Sequence, residues 1–366
     1  MISEDRLAVE RRTQGRELRA PLASRVRGTA LHLLTGSGLA NLCRPLVRER
    51  AVILAFHRFA DPDRGAAGFD PRTLRSLLAF LRRKRHEVLG LDTLMRRLGG
   101  DGPSLRGAVA FTIDDGYREQ ATIAAPIFAE FDCPVTTFVV TGFLDGAVWF
   151  WWDQIEYIMA RTRRTDLEAT LNGERRRYAL ANRSQVLAAQ RDLAAYCKLI
   201  PHVDRGHAIR ALADAADVEL PERPPPLYSP MTWDELRQAE SGGMTFGPHT
   251  VTHPILSRVG AAQSRDEIRS SWERLRAEAR RPVPVFAYPN GKPGDFGARE
   301  VNCLRDLGLE GACTCSMTYA APRGFRSPDG PFHLPRFAPP SGVPELIQYV
   351  SGLQHLKTLV RPEQRA

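Results

Sequence analysis

Lysine is scarce in this chain. Only Lys84, Lys198, Lys292 and Lys357 stand among 51 basic residues; the others are arginine. The arginines are spread along the chain between acids, and no basic stripe is interleaved with aromatics. The formal charge of +9 therefore describes solvated faces, not a nucleic-acid surface. It leaves room for attraction to anionic lipid or acidic glycan. Paired cysteines are also missing. Cys43, Cys133, Cys197, Cys303, Cys313 and Cys315 show no Cys-x-x-Cys spacing and read as free buried thiols of a reducing compartment. Cys313-Thr314-Cys315 is too short a spacing for ordinary disulfide geometry in an extended strand. There is no long apolar run. Residues 28–43 are uncharged, but with His32, Asn41 and three glycines they are too short and too polar to span a membrane. Arg11-Arg12 has no apolar continuation of twin-arginine type, and Leu42 before Cys43 spoils a lipoprotein cleavage site. The expected location is therefore the cytoplasmic side. No internal repeat is visible.

With 366 residues, 43% of them hydrophobic, the chain can bury one large α/β core. The first fifty residues are basic, ten arginines against five acids. In that stretch Leu22, Val26, Ala30, Leu33 and Leu34 fall on one helical face. This face reads as a helix packed on the domain. The sharper alternative is peripheral contact with the inner face of a membrane through residues 22–47.

From residue 51 onward, apolar runs of strand length alternate with helical spacing. Strands are expected at 51–57, 109–113, 135–140, 244–247, 283–288, 309–313 and 334–337, and helices at 71–85, 123–131 and 301–307. Such alternation implies a parallel sheet with right-handed crossovers. The polar motif residues fall just after strands, where barrels and open parallel sheets place their sites. Residues 147–226 break the rhythm and read as a helical insertion. It opens on Val148-Trp149-Phe150-Trp151-Trp152 and closes on Pro224-Pro225-Pro226. The aromatic cluster reads as core packing, with sugar stacking as the alternative.

Two stretches about 135 residues apart carry chemistry. Phe111-Thr112-Ile113-Asp114-Asp115-Gly116 sets paired carboxylates at the end of an apolar strand; Pro248-His249-Thr250-Val251-Thr252-His253-Pro254 sets two histidines four apart on a turn. Asp-Asp-Gly alone is usually a plain turn, and His-x-x-x-His alone is usually surface or core histidine. Together they make a mononuclear metal site of two His and one Asp, with a free Asp beside it as general base. Hydrolysing an amide or ester needs a nucleophile at neutral pH, a stabilised oxyanion and a proton for the leaving group, and such a site can supply them.

These residues resemble the polysaccharide deacetylase family (NodB-homology, carbohydrate esterase 4). Residues 112–116 are similar to its first motif, residues 249–254 to its second, and Phe286-Ala287-Tyr288-Pro289-Asn290-Gly291 to its third. The resemblance implies a distorted (β/α) barrel with fewer than eight regular strands, spanning 51–345. A basic helical segment at 1–50 precedes it, and a C-terminal helix and tail at 346–366 follow. It implies that Asp115, His249 and His253 bind a divalent ion, Zn²⁺ foremost, with Co²⁺, Ni²⁺ or Mn²⁺ also suited. Asp114 would be the general base, Tyr288 would offer its backbone N–H to the oxyanion, and Arg336 would orient the catalytic Asp. Phe286 stands where the family usually has Arg, and the usual Leu-x-His motif of the general acid is not evident. His57 is the first candidate for that acid and His333 the second. The implied activity is metal-dependent removal of N-acetyl groups from N-acetylhexosamine units of a surface polysaccharide or its precursor. O-deacetylation, hydrolysis of another small amide, and an inactive carbohydrate-binding scaffold are the alternatives. The intact Asp114, Asp115, His249 and His253 argue against the last.

Overall fold

The computed structural model describes residues 39–360. The helical face at residues 22–34 lies outside the described residues, as does the tail from 361. Strand β1 (Ala51–Phe56) leads through α1 (Pro71–Arg83) and α2 (Leu91–Gly99) to β2 (Ala108–Asp115). A π-helical turn at Gln120–Ala124 runs into α3 (Ala125–Glu130) and then β3 (Val135–Val139). The inserted segment holds α4 (Trp151–Arg161), β4 (Asp166–Leu171), β5 (Glu174–Ala179), α5 (Arg183–Leu199) and α6 (His202–Ala215). The alternation then resumes with α7 (Trp233–Ser241), β6 (Met244–Pro248), α8 (Ala261–Glu278), β7 (Val285–Ala287), α9 (Ala298–Asp306) and β8 (Gly311–Cys313). Helices α10 (Val343–Val350) and α11 (Leu353–Val360) close the described chain.

Local chemistry accounts for these elements. All six residues of β1, Ala-Val-Ile-Leu-Ala-Phe, are buried, as a parallel strand covered on both faces requires. Helix α1 starts where the Asp70 side chain accepts from the N–H groups of Arg72 and Thr73, with Pro71 pre-set at its first turn. Its leucines 74, 77, 78 and 81 form the buried stripe.

β1, β2, β3 and β6 form one parallel sheet in the order β1-β2-β3-β6, and β7 pairs with β8 in parallel. Isolated bonds join the two sheets into a ring. Val283 N–H donates to the Phe246 carbonyl (2.7 Å), and Leu334 N–H to that of Ala312 (2.9 Å). Phe337 N–H donates to the carbonyl of Ile53 (2.7 Å), while Ala55 N–H donates back to that of Phe337 (2.9 Å). Side-chain alternation agrees with closure. Ile53, Ala110, Phe138, Val285, Cys313 and Leu334 share one buried interior cluster. Their neighbours Val52, Leu54, Val109 and Phe111 pack outward with the helical leucines. At Gly247 a Cβ would stand 2.5 Å from the Val285 carbonyl, so only glycine lets β6 come this close to β7. The wall is the expected distorted barrel with fewer than eight regular strands.

Three expectations change in detail. Residues 334–337 make single bridges to β8 and β1 instead of a strand, because Pro335 has no N–H to give a ladder. Pro282 and Pro284 trim the strand expected at 283–288 to β7. The insertion is not wholly helical: β4 and β5 form an antiparallel hairpin with Leu167, Ala169 and Leu171 turned inward. That period-two signal is six residues long, and its partner strand begins Glu174-Arg175-Arg176-Arg177, so little apolar pattern marked it. The hairpin, α4, α5 and α6 share a hydrophobic cluster of their own. No helix among the described residues is long and apolar enough to cross a membrane.

Candidate active site

The interior face of β2 carries Ala108 and Ala110 in the barrel core, so period two puts Thr112 and Asp114 on that face at the strand's C-terminal end. By the same rule β1 follows Ala51 and Ile53 with Ala55 and then His57. Asp114 meets Arg336 in a bidentate pair, Nη1 to Oδ1 at 2.6 Å and Nη2 to Oδ2 at 2.7 Å. Arg336 is 1% exposed; it also donates to the Thr314 carbonyl (3.2 Å) and the Thr112 hydroxyl (3.2 Å). Burial alone would raise the Asp114 carboxyl, but the guanidinium outweighs it and holds that group well below the usual carboxylate range.

At Asp115 the backbone turns left-handed (φ 86°), and Gly116 continues the turn (φ 97°). Thr250 (φ 69°) and His253 (φ 58°) do the same on the loop after β6. Non-glycine residues in this region carry strain that the surrounding structure must hold, and such strain gathers at functional sites. Here it brings three side chains together. Asp115 Oδ1 lies 3.8 Å from His249 Nε2 and 3.7 Å from His253 Nε2. One ligand atom from each falls within 4.8 Å of the others. Atoms bound at about 2.0–2.2 Å to a tetrahedral centre stand roughly 3.3–3.6 Å apart, so the group fits one divalent ion with little adjustment. His249 Nδ1 sits 2.6 Å from the Ala287 carbonyl, which fixes the N–H there and leaves the Nε2 lone pair facing Asp115. Burial pushes His249 down to about 4 and His253 well below its ordinary value. Burial and the neighbouring Asp114 push Asp115 up. Two neutral imidazoles facing a carboxylate that cannot comfortably keep its charge form a donor set suited to a cation.

These residues open onto a cavity of about 520 Å³. His57 lines it with Nε2 3.9 Å from Asp114 Oδ2, and 53% of its side chain is exposed to the cleft. Surrounding protein lowers His57, Asp114 raises it and Arg336 lowers it again. Tyr288 also lines the cavity, stacked on Phe296 at 3.7 Å. Its backbone N–H, expected to face an oxyanion, donates to the Cys313 carbonyl at 3.2 Å in the β7–β8 ladder. His333 is not brought to the cavity; it is exposed, with Nδ1 on the Asp329 carbonyl (2.8 Å). Of the aromatic cluster, Phe150 is core, stacked on Trp152 at 4.4 Å, while Trp151 and Trp152 line the cavity.

Several site residues gave no sequence signal. Gln120 ties the strand ends together, with Nε2 donating to the carbonyls of His57 (2.7 Å) and Asp114 (2.5 Å) while Oε1 accepts from Gly116 N–H. Glu267 of α8 holds the histidine turn, its Oε2 accepting from the N–H groups of Val251 and Thr252, both at 2.8 Å. Asp153 accepts from the Tyr117 hydroxyl (2.8 Å) inside the cavity wall, and burial pushes it up to about 7. Gln120 reaches His57 across 63 residues, Glu267 lies 15 and 16 residues from Thr252 and Val251, and Asp153 lies 36 from Tyr117, so spacing alone does not reveal these pairs.

Residues 203–312 match the family described as Polysaccharide deacetylase. That stretch contains the histidine turn and the Tyr-Pro-Asn-Gly segment. No curated protein matches the sequence. Among solved structures, the chain is similar to the Streptococcus pyogenes deacetylase PplD in complex with acetate, at 16% identity and TM-score 0.53. That alignment covers 82% of this chain and 98% of PplD. It is similar also to IcaB from Ammonifex degensii, at 14% identity and TM-score 0.53, covering 83% of this chain and 97% of IcaB. At those identities the likeness speaks for the fold. The family match over residues 203–312 and the ordered motifs on one barrel mouth agree with it.

Proposed function

We propose that this chain is a divalent-metal-dependent hydrolase that removes N-acetyl groups from N-acetylhexosamine units of a surface polysaccharide or its precursor. One observation carries the reading: Asp115, His249 and His253 converge on one point beside an Asp114 that is held out of the cluster by Arg336. When bound there, a divalent ion would polarise an amide carbonyl and make water a nucleophile near neutral pH. Zn²⁺ suits two imidazoles and one carboxylate best, and Co²⁺, Ni²⁺ and Mn²⁺ accept the same set. Asp114 takes the proton of the attacking water. The bidentate pair keeps it ionised and aimed, and keeps both its oxygens from joining the ligand set. His57, on the interior face of the neighbouring strand, returns a proton to the leaving amine. Tyr288 stands in the cavity wall, but its N–H is already bonded to the Cys313 carbonyl at 3.2 Å and is not assigned to the oxyanion. The acetate named in the PplD structure is the product such a reaction would leave.

The test is acetate release from a panel of N-acetylated glycans, with and without chelator. Release that stops on chelation and returns with added metal is expected. Release from none of the panel, or release indifferent to chelator, would overturn the reading.

A further inference from the structure

Two of the four lysines in the chain, Lys198 and Lys292, line the catalytic cavity. Lys198 stands near the end of α5, and Lys292 in the loop after Asn290-Gly291. Neither ammonium forms an ion pair among the described residues. Arg205 of α6 lines the same cavity and is 4% exposed. Its Nε donates to the Cys197 carbonyl at 2.7 Å, its Nη1 lies 3.4 Å from His202 Nδ1, its guanidinium carbon lies 5.9 Å from the centre of the Trp151 ring, and its buried Nη2 has no hydrogen-bond partner. A buried guanidinium with no carboxylate is costly unless an anion meets it. None of the acids that line the cavity forms an ion pair with these three cations. Asp153 accepts from Tyr117, and Glu156 lies 3.4 Å from the hydroxyl of Tyr228. Asp295, in the loop beyond Lys292, holds the Asn290 amide and the backbone of Lys292. Partial burial, and the like charges of Lys292 and Arg205, draw the Lys198 ammonium below its usual range.

We propose that Arg205, Lys198 and Lys292 form a subsite for an oxyanion carried by the substrate, a phosphate ester or carboxylate on or next to the acetylated sugar. Two of the three cations come from the insertion and one from the barrel loop, so the insertion helps to select the substrate. The identity of the ligand rests on the deacetylase reading; the existence of an anion subsite does not.

The experiment is calorimetric titration of the full chain with three probes. They are N-acetylglucosamine, N-acetylglucosamine 1-phosphate, and a disaccharide of N-acetylglucosamine and glucuronate. At least one anionic probe should bind at least about ten-fold tighter than the neutral sugar, the difference shrinking as salt rises. A lead for the phosphate would name a phosphate ester, and a lead for the disaccharide a uronate neighbour. The Lys198→Gln, Lys292→Gln double variant should lose most of that preference while its metal content stays at the wild-type level. Both lysines are exposed, so this variant tests the subsite without disturbing the core; Arg205→Met, with its melting temperature as control, is the second variant. Equal affinity for all three probes, or a preference that survives the double substitution, would overturn the subsite. Acetate release from a neutral N-acetylglucosamine oligomer reads the proposed function separately. Anion preference without release would remove only the deacetylase reading; release without preference would remove only the subsite.

Discussion

Adjacent aspartates sit 222 and 134 residues from the groups that define them. Asp114 is gripped by Arg336, and Asp115 faces His249 and His253. Asp114→Asn should therefore keep close to one divalent ion per chain and lose roughly two to four orders of magnitude in rate, since only the base is removed. Asp115→Asn should lose the ion itself. Metal analysis beside single-turnover rates checks the pair, and indistinguishable variants would contradict the division. His57→Ala should lower turnover far more than metal content and flatten the alkaline limb of the pH–rate profile. That limb reports loss of the protonated imidazole. Burial and Arg336 draw its pKa down against the opposing pull of Asp114, so the limb should lie below the ordinary histidine value. A wild-type profile in His57→Ala would exclude it as the acid. The exposed His333 should tolerate substitution with little loss.

At the scale of elements, the histidine turn depends on a helix that contributes no ligand. Glu267 of α8 accepts two backbone N–H groups and the Thr252 hydroxyl. Glu267→Ala should weaken metal affinity about 10–100-fold, as lost outer-shell support does, and lower stability by about 1–3 kcal/mol for the unpaired N–H groups. Competition with a graded chelator series reads the first effect and urea denaturation the second. Unchanged affinity would show that the left-handed turn at Thr250 and His253 holds itself. What the sequence made legible follows the same divide. β1 and β2 were readable because buried parallel strands are unbroken apolar runs, and the polar residues that follow them had to lie at the barrel mouth. The β4–β5 hairpin was not, because its outer strand is mostly charged. Gln120 and Glu267 were not, because a polar residue on a helix looks the same whether it faces water or a loop 15 residues away. Arg205 was hidden among many arginines, and its lack of a carboxylate appears only in three dimensions.

For the whole molecule, the buried titratable groups set how stability responds to pH. Burial lifts Asp153 from 3.8 to about 7, so the folded protein holds a proton there that the unfolded chain releases from about pH 4 upward. Its contribution therefore falls as pH rises from about 4 to 7. The buried histidines act in the opposite sense over part of that range, because their folded values are lowered. Comparing wild type with Asp153→Asn at each pH isolates the aspartate, and Asn keeps an acceptor for Tyr117. The variant's relative stability should grow between pH 5 and pH 7.5 by on the order of 2 kcal/mol. A constant difference in urea midpoints across that range would contradict it.

The ring closes where residues 334–337 dock between β8 and β1, and the same four residues deliver Arg336 to Asp114. Closure and catalysis thus share one late segment. A chain growing from its N-terminus has Asp115, His249 and His253 in hand once residue 253 is clear of the ribosome, but it has no guanidinium to aim Asp114 until more than eighty further residues have been made. A chain that stops short of that segment therefore lacks both the seam that closes the ring and the partner of Asp114.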